Sequence, residues 1–599
     1  MTLKTWPNDR RAQLPPVIPW SGQSESLIAA SDANWLTPAE ISGFDQTPRY
    51  EETLQFIRTL SNASSLVREV SYGRSVEGRP LTLVVASKDQ AAADLGRPCG
   101  DRTRVLIQCG IHPGEIDGKD AGMMLLRDMV YRGRDALLDQ VDWYFVPVVN
   151  PDGHERRSVF SRPNQRGPEE QGWRASAQGL NLNRDFMKLD SPEMRSIAKL
   201  INQLDPDLFI DMHVTDGLDY QYDITFGFQD SLYSVSPAAS AWLEQRYRPA
   251  VTKSMQGRGH IPGPLILALD DRRPELGLML PAFPFRFSHS YGDLRHLPTV
   301  LVENHSLKPV RQRILGSYAL LEASLTIAAH DRASLRAAKA ADRSRRCKQP
   351  VLGWAPSKDP VRHIEFHGML SEFYTSPASG AEEVRWLGKA AAPIQAPLFG
   401  SRVATTIDRP RGYWIPVSEP DVIDNLARHG IAMDPANQAT TAVVDQIRLQ
   451  AVSLSPKVSE RRITIAADCS VVEKRTAEYA AGSVYVSTDQ PLGDLVIQLL
   501  EPAAPDSLFA YGFISGCLQD VDYIEGYVVA PMADKMLEED AELRRSFEQE
   551  LARDRAFAAD PTARLKWFYD RSPYRDEGYL LYPIGRVGGT QTDGIDAPG

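Results

Sequence analysis

Two spacings of apolar residues alternate along the first half of the chain. In YEETLQFIRTLSNAS, Tyr50, Leu54 and Ile57 fall at i, i+4 and i+7, which predicts a helix beginning at Tyr50. LTLVVAS (81–87), TRVLIQCGIH (103–112), VDWYFVPVVN (141–150), DLFIDMH (207–213) and PTVLVEN (298–304) are short apolar runs of the kind that form buried strands. KDAGMMLLRDMVYRG and PEMRSIAKLINQLDP (192–206) have helical spacing between them. Strands alternating with helices of this length predict an α/β sandwich around a largely parallel or mixed sheet.

A long helix is expected from about Val310 to Arg346, its charged tail DRASLRAAKAADRSRR serving as a solvated connector. Beyond Cys347 the pattern shifts to short alternating segments, RHIEFHGM, RRITIAADC and GSVYVSTDQ, divided by Pro and Gly turns, as in a β-rich region. MLEEDAELRRSFEQELARDRAF (536–557) adds one late amphipathic helix. Residues 1–44, rich in Pro, Ser and polar side chains, have no sustained period and are expected to form an extended arm. The expected organisation is an arm over 1–44, an α/β domain with its connector helix over 45–346 and a β-rich accessory domain over 347–599.

Of the 599 residues, 42% are hydrophobic and 24% charged, the balance of a folded chain rather than a disordered one. No apolar stretch approaches the ~20 residues a membrane-spanning helix needs. The net charge of −11 and the lack of a basic stripe with interleaved aromatics argue against a nucleic-acid partner. Cys99, Cys109, Cys347, Cys469 and Cys517 are scattered and never form C-x-x-C, so neither a disulfide framework nor a thiolate zinc site is indicated. The first residues lack the apolar core of a signal peptide. A cytoplasmic location is therefore expected for the sequence as given, and a periplasmic or secreted one if a signal has been removed. No pattern speaks to oligomeric state.

Candidate chemistry collects at strand ends. His112 and Glu115 follow RVLIQCG, NPDG (150–153) follows VDWYFVPVV, His213 ends DLFIDMH, and Glu303 ends TVLVE. H-x-x-E alone carries little weight, but sites in open α/β sheets form outside the carboxyl ends of strands, where all of these residues fall. Two imidazoles and one carboxylate are the ligand set of an open catalytic zinc site that keeps a fourth position for water. A further carboxylate such as Glu303 is then suited to take that water's proton. Other motifs fail on geometry or composition. His363 and His367 lie in a segment that alternates like a strand, which sets them roughly 13 Å apart, too far to share an ion. Gly118-Lys119 lacks the hydroxyl residue of a phosphate loop, Asp120 standing in its place, and G-x-S-x-G is absent.

The order HPGE…NPDG…GWR…GLNLNRDF…DMH…VLVEN, over about residues 48–330, resembles the zinc metallocarboxypeptidase family of the carboxypeptidase A type. GRSVEGRPLTLVVAS (73–87) is similar to the usual entry into its catalytic domain. The resemblance implies a mixed, eight-stranded sheet sandwiched by helices, followed here by the β-rich region. It implies one zinc ion held by His112, Glu115 and His213, with Glu303 as general base. By the same resemblance Arg174 polarises the scissile carbonyl, and Asn183 and Arg184 grip the terminal carboxylate of a peptide or small amide substrate. Tyr291 is the nearest counterpart of the phenol that closes over substrate in relatives. Asn181 stands where many relatives have an acidic residue, leaving Asp185 or Asp211 to orient a metal-binding imidazole. Arg286 and Arg295 are expected either to meet an anionic substrate or to face water, with water the default reading. Three other readings stay open on sequence alone: an aspartoacylase-like N-acyl amino acid deacylase, a peptidoglycan peptidase, and a catalytically degenerate binding protein that works through its β-rich half.

Overall fold

The computed structural model describes residues 13–98 and 100–588; Cys99 and the ends of the expected arm and accessory domain lie outside the described residues. The apolar runs become strands β1 (Val67–Arg74), β2 (Pro80–Ala86), β3 (Thr103–Cys109), β4 (Val141–Val146), β5 (Leu208–Thr215), β6 (Ile224–Gly227) and β7 (Pro262–Pro264). Two short strands, β8 (Leu267–Ala268) and β9 (Leu278–Met279), precede β10 (Thr299–His305). The large sheet has eight strands in the order β1-β2-β4-β3-β5-β10-β6-β7. Its centre is parallel, β4, β3, β5 and β10 running together, and antiparallel pairs flank that centre, so the sheet is mixed. Every residue of β3 and β4 is buried, which is why these strands have no polar alternation.

Helices cover both faces. Tyr50–Ala63, Asp117–Tyr131 and Val310–His330 share one apolar core with the sheet, including Leu54, Met124, Ile107 and Leu321. Pro192–Leu204 packs on the opposite face through Met194, Ile197 and Leu200. The expected connector helix is two helices, Val310–His330 and Arg332–Ser344, interrupted at Asp331, whose carboxylate accepts from Trp242 Nε1 at 2.9 Å.

The described part of the arm is not simply extended. It contains a short helix, Pro38–Ile41, with a Thr37/Glu40 capping box, and Leu27, Ala39 and Phe44 enter the core. Glu40 and Arg127 form a buried ion pair at 2.9 Å. Ser24 Oγ meets His260 Nε2 at 2.8 Å and His260 Nδ1 meets Asp223 at 2.6 Å. All three are buried, so this linear trio fastens the arm and has no route to a substrate.

The C-terminal half is β-rich with more helix than its sequence predicts. β11 (Val351–Phe366) pairs with β14 (Ile394–Thr406), and β12 (Met369–Thr375) with β13 (Glu382–Ala390). A six-stranded sheet joins β15 (Gly412–Ile415), β16 (Asp434–Pro435), β17 (Thr440–Leu454), β18 (Ile465–Tyr479), β19 (Val484–Ser487) and β20 (Gly585–Val587). The single late helix expected over 536–557 is split among Gly526–Glu539, Ala541–Arg553 and Arg555–Ala559. Asp540 and Asp554 break it, each capping the next helix by accepting two backbone N–H groups.

The halves interlock. β9 pairs with β14, adding β8 and β9 to the β11–β14 sheet. The core beneath Pro192–Leu204 continues without a break into Val422, Leu426, Val486 and Leu495. No helix among the described residues is long and apolar enough to cross a membrane.

Candidate active site

After β3, Gly110 turns the chain with φ +64°, where a Cβ would press on Val148 at 3.3 Å. The following turn, closed by Glu115 N donating to His112 O at 2.9 Å, presents His112 and Glu115 before helix Asp117–Tyr131 begins. β5 carries Asp211 and His213 two residues apart, hence on one face. β10 lies beside it in parallel register, Glu303 opposite His213. Three strand ends thus deliver four functional side chains to one place.

The donor atoms of His112, Glu115 and His213 all lie within 4.8 Å of one another, and all three residues are buried. His112 Nδ1 is 3.0 Å from Glu115 Oε1, and His213 Nδ1 is 2.9 Å from Oε2. The outer nitrogens settle the tautomers. Asn181 Oδ1 already accepts from Asn183 N–H at 3.1 Å, so His112 Nε2, 2.8 Å away, is a donor to it. His213 Nε2 donates to Asp211 at 2.8 Å, and Asp211 is held in turn by Gln108 at 2.9 Å. In the neutral imidazoles both Nδ1 lone pairs therefore face the carboxylate, an arrangement that calls for positive charge among them, as protons on the rings or as a cation, and two nitrogens with one oxygen suit zinc.

The electrostatics agree. Burial pushes the Glu115 carboxyl up, but the charges of His112 and Arg162 and bonds from both imidazoles hold it well below the usual carboxylate range. Burial opposes a charge on His213, yet Asp211 and Glu115 hold its pKa well above the usual imidazole value. Positive charge is favoured between these carboxylates.

Glu303 Oε2 is buried and has no hydrogen-bond partner among the described residues. Burial pushes the Glu303 pKa up to about 8, against the field of His213 and with the charges of Glu115, Asp211 and Asp216 adding to it. A carboxylate beside a metal-type cluster with an unspent acceptor is chemically poised to take a proton.

The residues expected to meet substrate lie around this centre. Arg174 reaches to 3.8 Å from Glu115 Oε1 with its side chain 46% exposed, at the rim. Asn181 caps the short helical turn Leu182–Arg184, and Asn183 Nδ2 lies 3.5 Å from His213 Nε2. Arg184 stacks 3.9 Å over the Phe287 ring and donates to Asn183 O at 2.8 Å. Burial lowers its pKa to about 10, and repulsion from Arg174 and Arg286 adds to that. These arginines make a local positive patch in a net-negative chain.

Two expectations are corrected, for Tyr291 and Arg295, and that for Arg286, which stays part-exposed, is refined. Tyr291 does not face a substrate: it is buried, packs against Phe186, and its hydroxyl is engaged by His429 Nδ1 at 2.8 Å and Arg295 Nη1 at 3.0 Å. Arg295 does not face water, because it also donates to His429 O at 2.9 Å and Asn202 at 2.6 Å from a buried position. Arg286 is paired with Asp506 at 2.7 Å. Of the two candidate orienting carboxylates, Asp211 contacts an imidazole, whereas Asp185 is consumed by Lys188 and Ser191. Sequence reasoning misses Arg162, whose Nη2 sits 2.7 Å from Glu115 Oε1; its loop, SRPNQ, has no motif to signal it.

Comparison with known proteins follows this geometry. The family model described as zinc carboxypeptidase matches residues 53–258, a segment holding His112, Glu115, Arg162, Arg174, Asn183, Arg184 and His213 but not Glu303. Carboxypeptidase 2 of Trichophyton tonsurans is 24% identical over 500 residues, covering 80% of this chain and 86% of its own. That span exceeds residues 45–346, so the likeness continues into the C-terminal half. Human carboxypeptidase D is 31% identical over 171 residues, 24% of this chain and 12% of its own. Among solved structures, a metallo-carboxypeptidase from Burkholderia cenocepacia superposes with a TM-score of 0.34 at 19% identity, covering 46% of this chain and 68% of its own. Carboxypeptidase A from Helicoverpa armigera gives 0.36 at 18% identity, covering 53% and 80%. Residues 53–258 thus carry the likeness to the zinc carboxypeptidase family.

Proposed function

We propose that this protein is a zinc-dependent exopeptidase that removes the C-terminal residue of peptides. The observation that carries the reading is the convergence of two Nδ1 atoms and a carboxylate beside the unpartnered Glu303, with Asn183 and Arg184 on the adjoining segment. His112, Glu115 and His213 would hold the zinc ion, which when bound would supply Lewis acidity and make water a better nucleophile near neutral pH. Glu303 accepts a proton from the attacking water and passes it to the leaving amine. Arg174, half-exposed at the rim, donates to the carbonyl oxygen as it gains charge. Arg184, held over the Phe287 ring, presents a planar guanidinium to the substrate's terminal carboxylate, and Asn183 Nδ2 donates alongside. A carboxylate grip so near the reacting centre confines cleavage to the last peptide bond.

Glu303→Gln tests the mechanism. Turnover of a peptide with a free C-terminus is expected to fall about 10²–10⁴-fold while zinc content stays at the wild-type level. Near-wild-type turnover contradicts it. Since Glu303 must be ionised to act, kcat/KM in the wild type should rise with pH through a limb at or below about 8, the charge of bound zinc drawing it downward. That limb should be missing from the residual activity of Glu303→Gln.

A further inference from the structure

The C-terminal half meets the candidate site at a point that the mechanism above leaves unused. Between β17 and β18 the chain reverses through Ser459–Arg462, whose end residues exchange backbone bonds of 2.8 and 2.9 Å. The two central residues, Glu460 and Arg461, have φ of 49° and 63°. A two-residue reversal with both centres left-handed favours Asn-Gly, and residues bearing a Cβ adopt it against steric resistance. Glu and Arg held in that conformation point to a use for their side chains rather than for the turn.

Glu460 reaches from the turn to accept the Asn181 N–H at 2.8 Å. Arg462 grips Asp190 through bonds of 2.8 and 2.5 Å and is itself fixed over the Phe513 ring at 3.8 Å. The turn therefore holds both ends of segment 181–190, which contains Asn183 and Arg184. Helix Pro420–His429 clasps the same segment in the middle, with Asn425 donating to Lys188 O at 2.9 Å and His429 meeting Met187 O at 2.9 Å. Asn181 is the sensitive point, because its side-chain oxygen receives the Nε2–H of His112 and so sets the ring edge presented to Glu115.

Building on the exopeptidase reading, we propose that Glu460 is a positioning residue lent by the C-terminal half. Its carboxylate fixes Asn181, and through Asn181 both the His112 imidazole and the Asn183–Arg184 carboxylate grip. The C-terminal half is then part of the active site and not an appendage to it.

Three full-length variants test this. Glu460→Ala removes the acceptor, Glu460→Gln keeps an acceptor oxygen, and E460N/R461G installs the residues the turn favours while withdrawing the carboxylate. For each, kcat and KM on a peptide with a free C-terminus, zinc affinity by chelator competition, and Tm are measured. In Glu460→Ala, KM should rise and zinc affinity fall, each about tenfold, the scale known for groups behind metal ligands. Glu460→Gln should recover most of both. E460N/R461G should melt at a higher temperature than the wild type and still show the weakened KM and zinc affinity, which a purely structural turn would not do. Wild-type KM and zinc affinity in the double variant overturn the proposal, and this variant decides if Glu460→Ala does not fold. Arg184→Met in the same assay keeps the two claims apart. If the wild type does not cleave, or Arg184→Met cleaves equally well, the exopeptidase reading fails, and zinc affinity alone then confirms or overturns the link from Glu460 to His112.

Discussion

The metal side and the substrate side of this site are built in opposite ways. His112, Glu115, His213 and Glu303 sit on or just beyond β3, β5 and β10, the buried centre of the large sheet, and their positions follow from backbone register. Asn183 and Arg184 sit in a single helical turn and Phe287 on a loop, outside the sheet, and what holds these segments is supplied from far along the chain: Glu460, Arg462, Asn425 and His429 on segment 181–190, and Asp506 on Arg286. Strand ends fix the chemistry, while long-range clasps fix what is presented to it. The metal side should therefore tolerate little change at its own residues, and the substrate side, together with the one metal-side imidazole that Asn181 orients, should respond to changes more than 200 residues away in sequence.

Disturbing the strand ends should have the largest effect. His213→Ala is expected to lose zinc on metal analysis and cleavage with it, because one of only three protein donors is gone. Retention of stoichiometric zinc would remove His213 from the ligand set. Next, Arg184→Met should raise KM for a free-carboxylate peptide about 10- to 100-fold with zinc content unchanged, the cost of a charge-assisted pair. A loss of zinc in that variant would blur the division between the two sides. The smallest effect is predicted for Tyr291→Phe. It should cost about 1–2 kcal/mol of stability, measured by denaturant unfolding, by leaving His429 and Arg295 without their shared hydroxyl, and should leave kcat and KM alone. A change in KM without a change in stability would return Tyr291 to the substrate.

The same division explains what the sequence revealed. β3, β4 and β5 were legible because strands buried on both faces need unbroken apolar runs, and the polar residues ending such runs stand out. Order along the chain then joined His112, Glu115, His213 and Glu303. Tyr291 and Arg295 were not legible because the partner that buries them, helix Pro420–His429, is more than 120 residues downstream, and nothing local marks a side chain that a distant segment covers. The late helix was misread for a different reason: its amphipathic period runs across Asp540 and Asp554, and the capping role of an aspartate competes with that period only once the next turn forms. Glu460 carried no signal, since a Glu-Arg pair between two strands is an unfavourable choice for a tight reversal and points away from the conformation it adopts.

The most direct test is to compare kcat/KM on one peptide with its C-terminal carboxylate free and with that terminus amidated, before chelation, after it, and after zinc is restored. A zinc carboxypeptidase with an Asn183–Arg184 grip should cleave the free peptide alone, lose that activity to the chelator and regain it with zinc. Equal cleavage of the amidated peptide, or cleavage that survives complete removal of the metal, would contradict it.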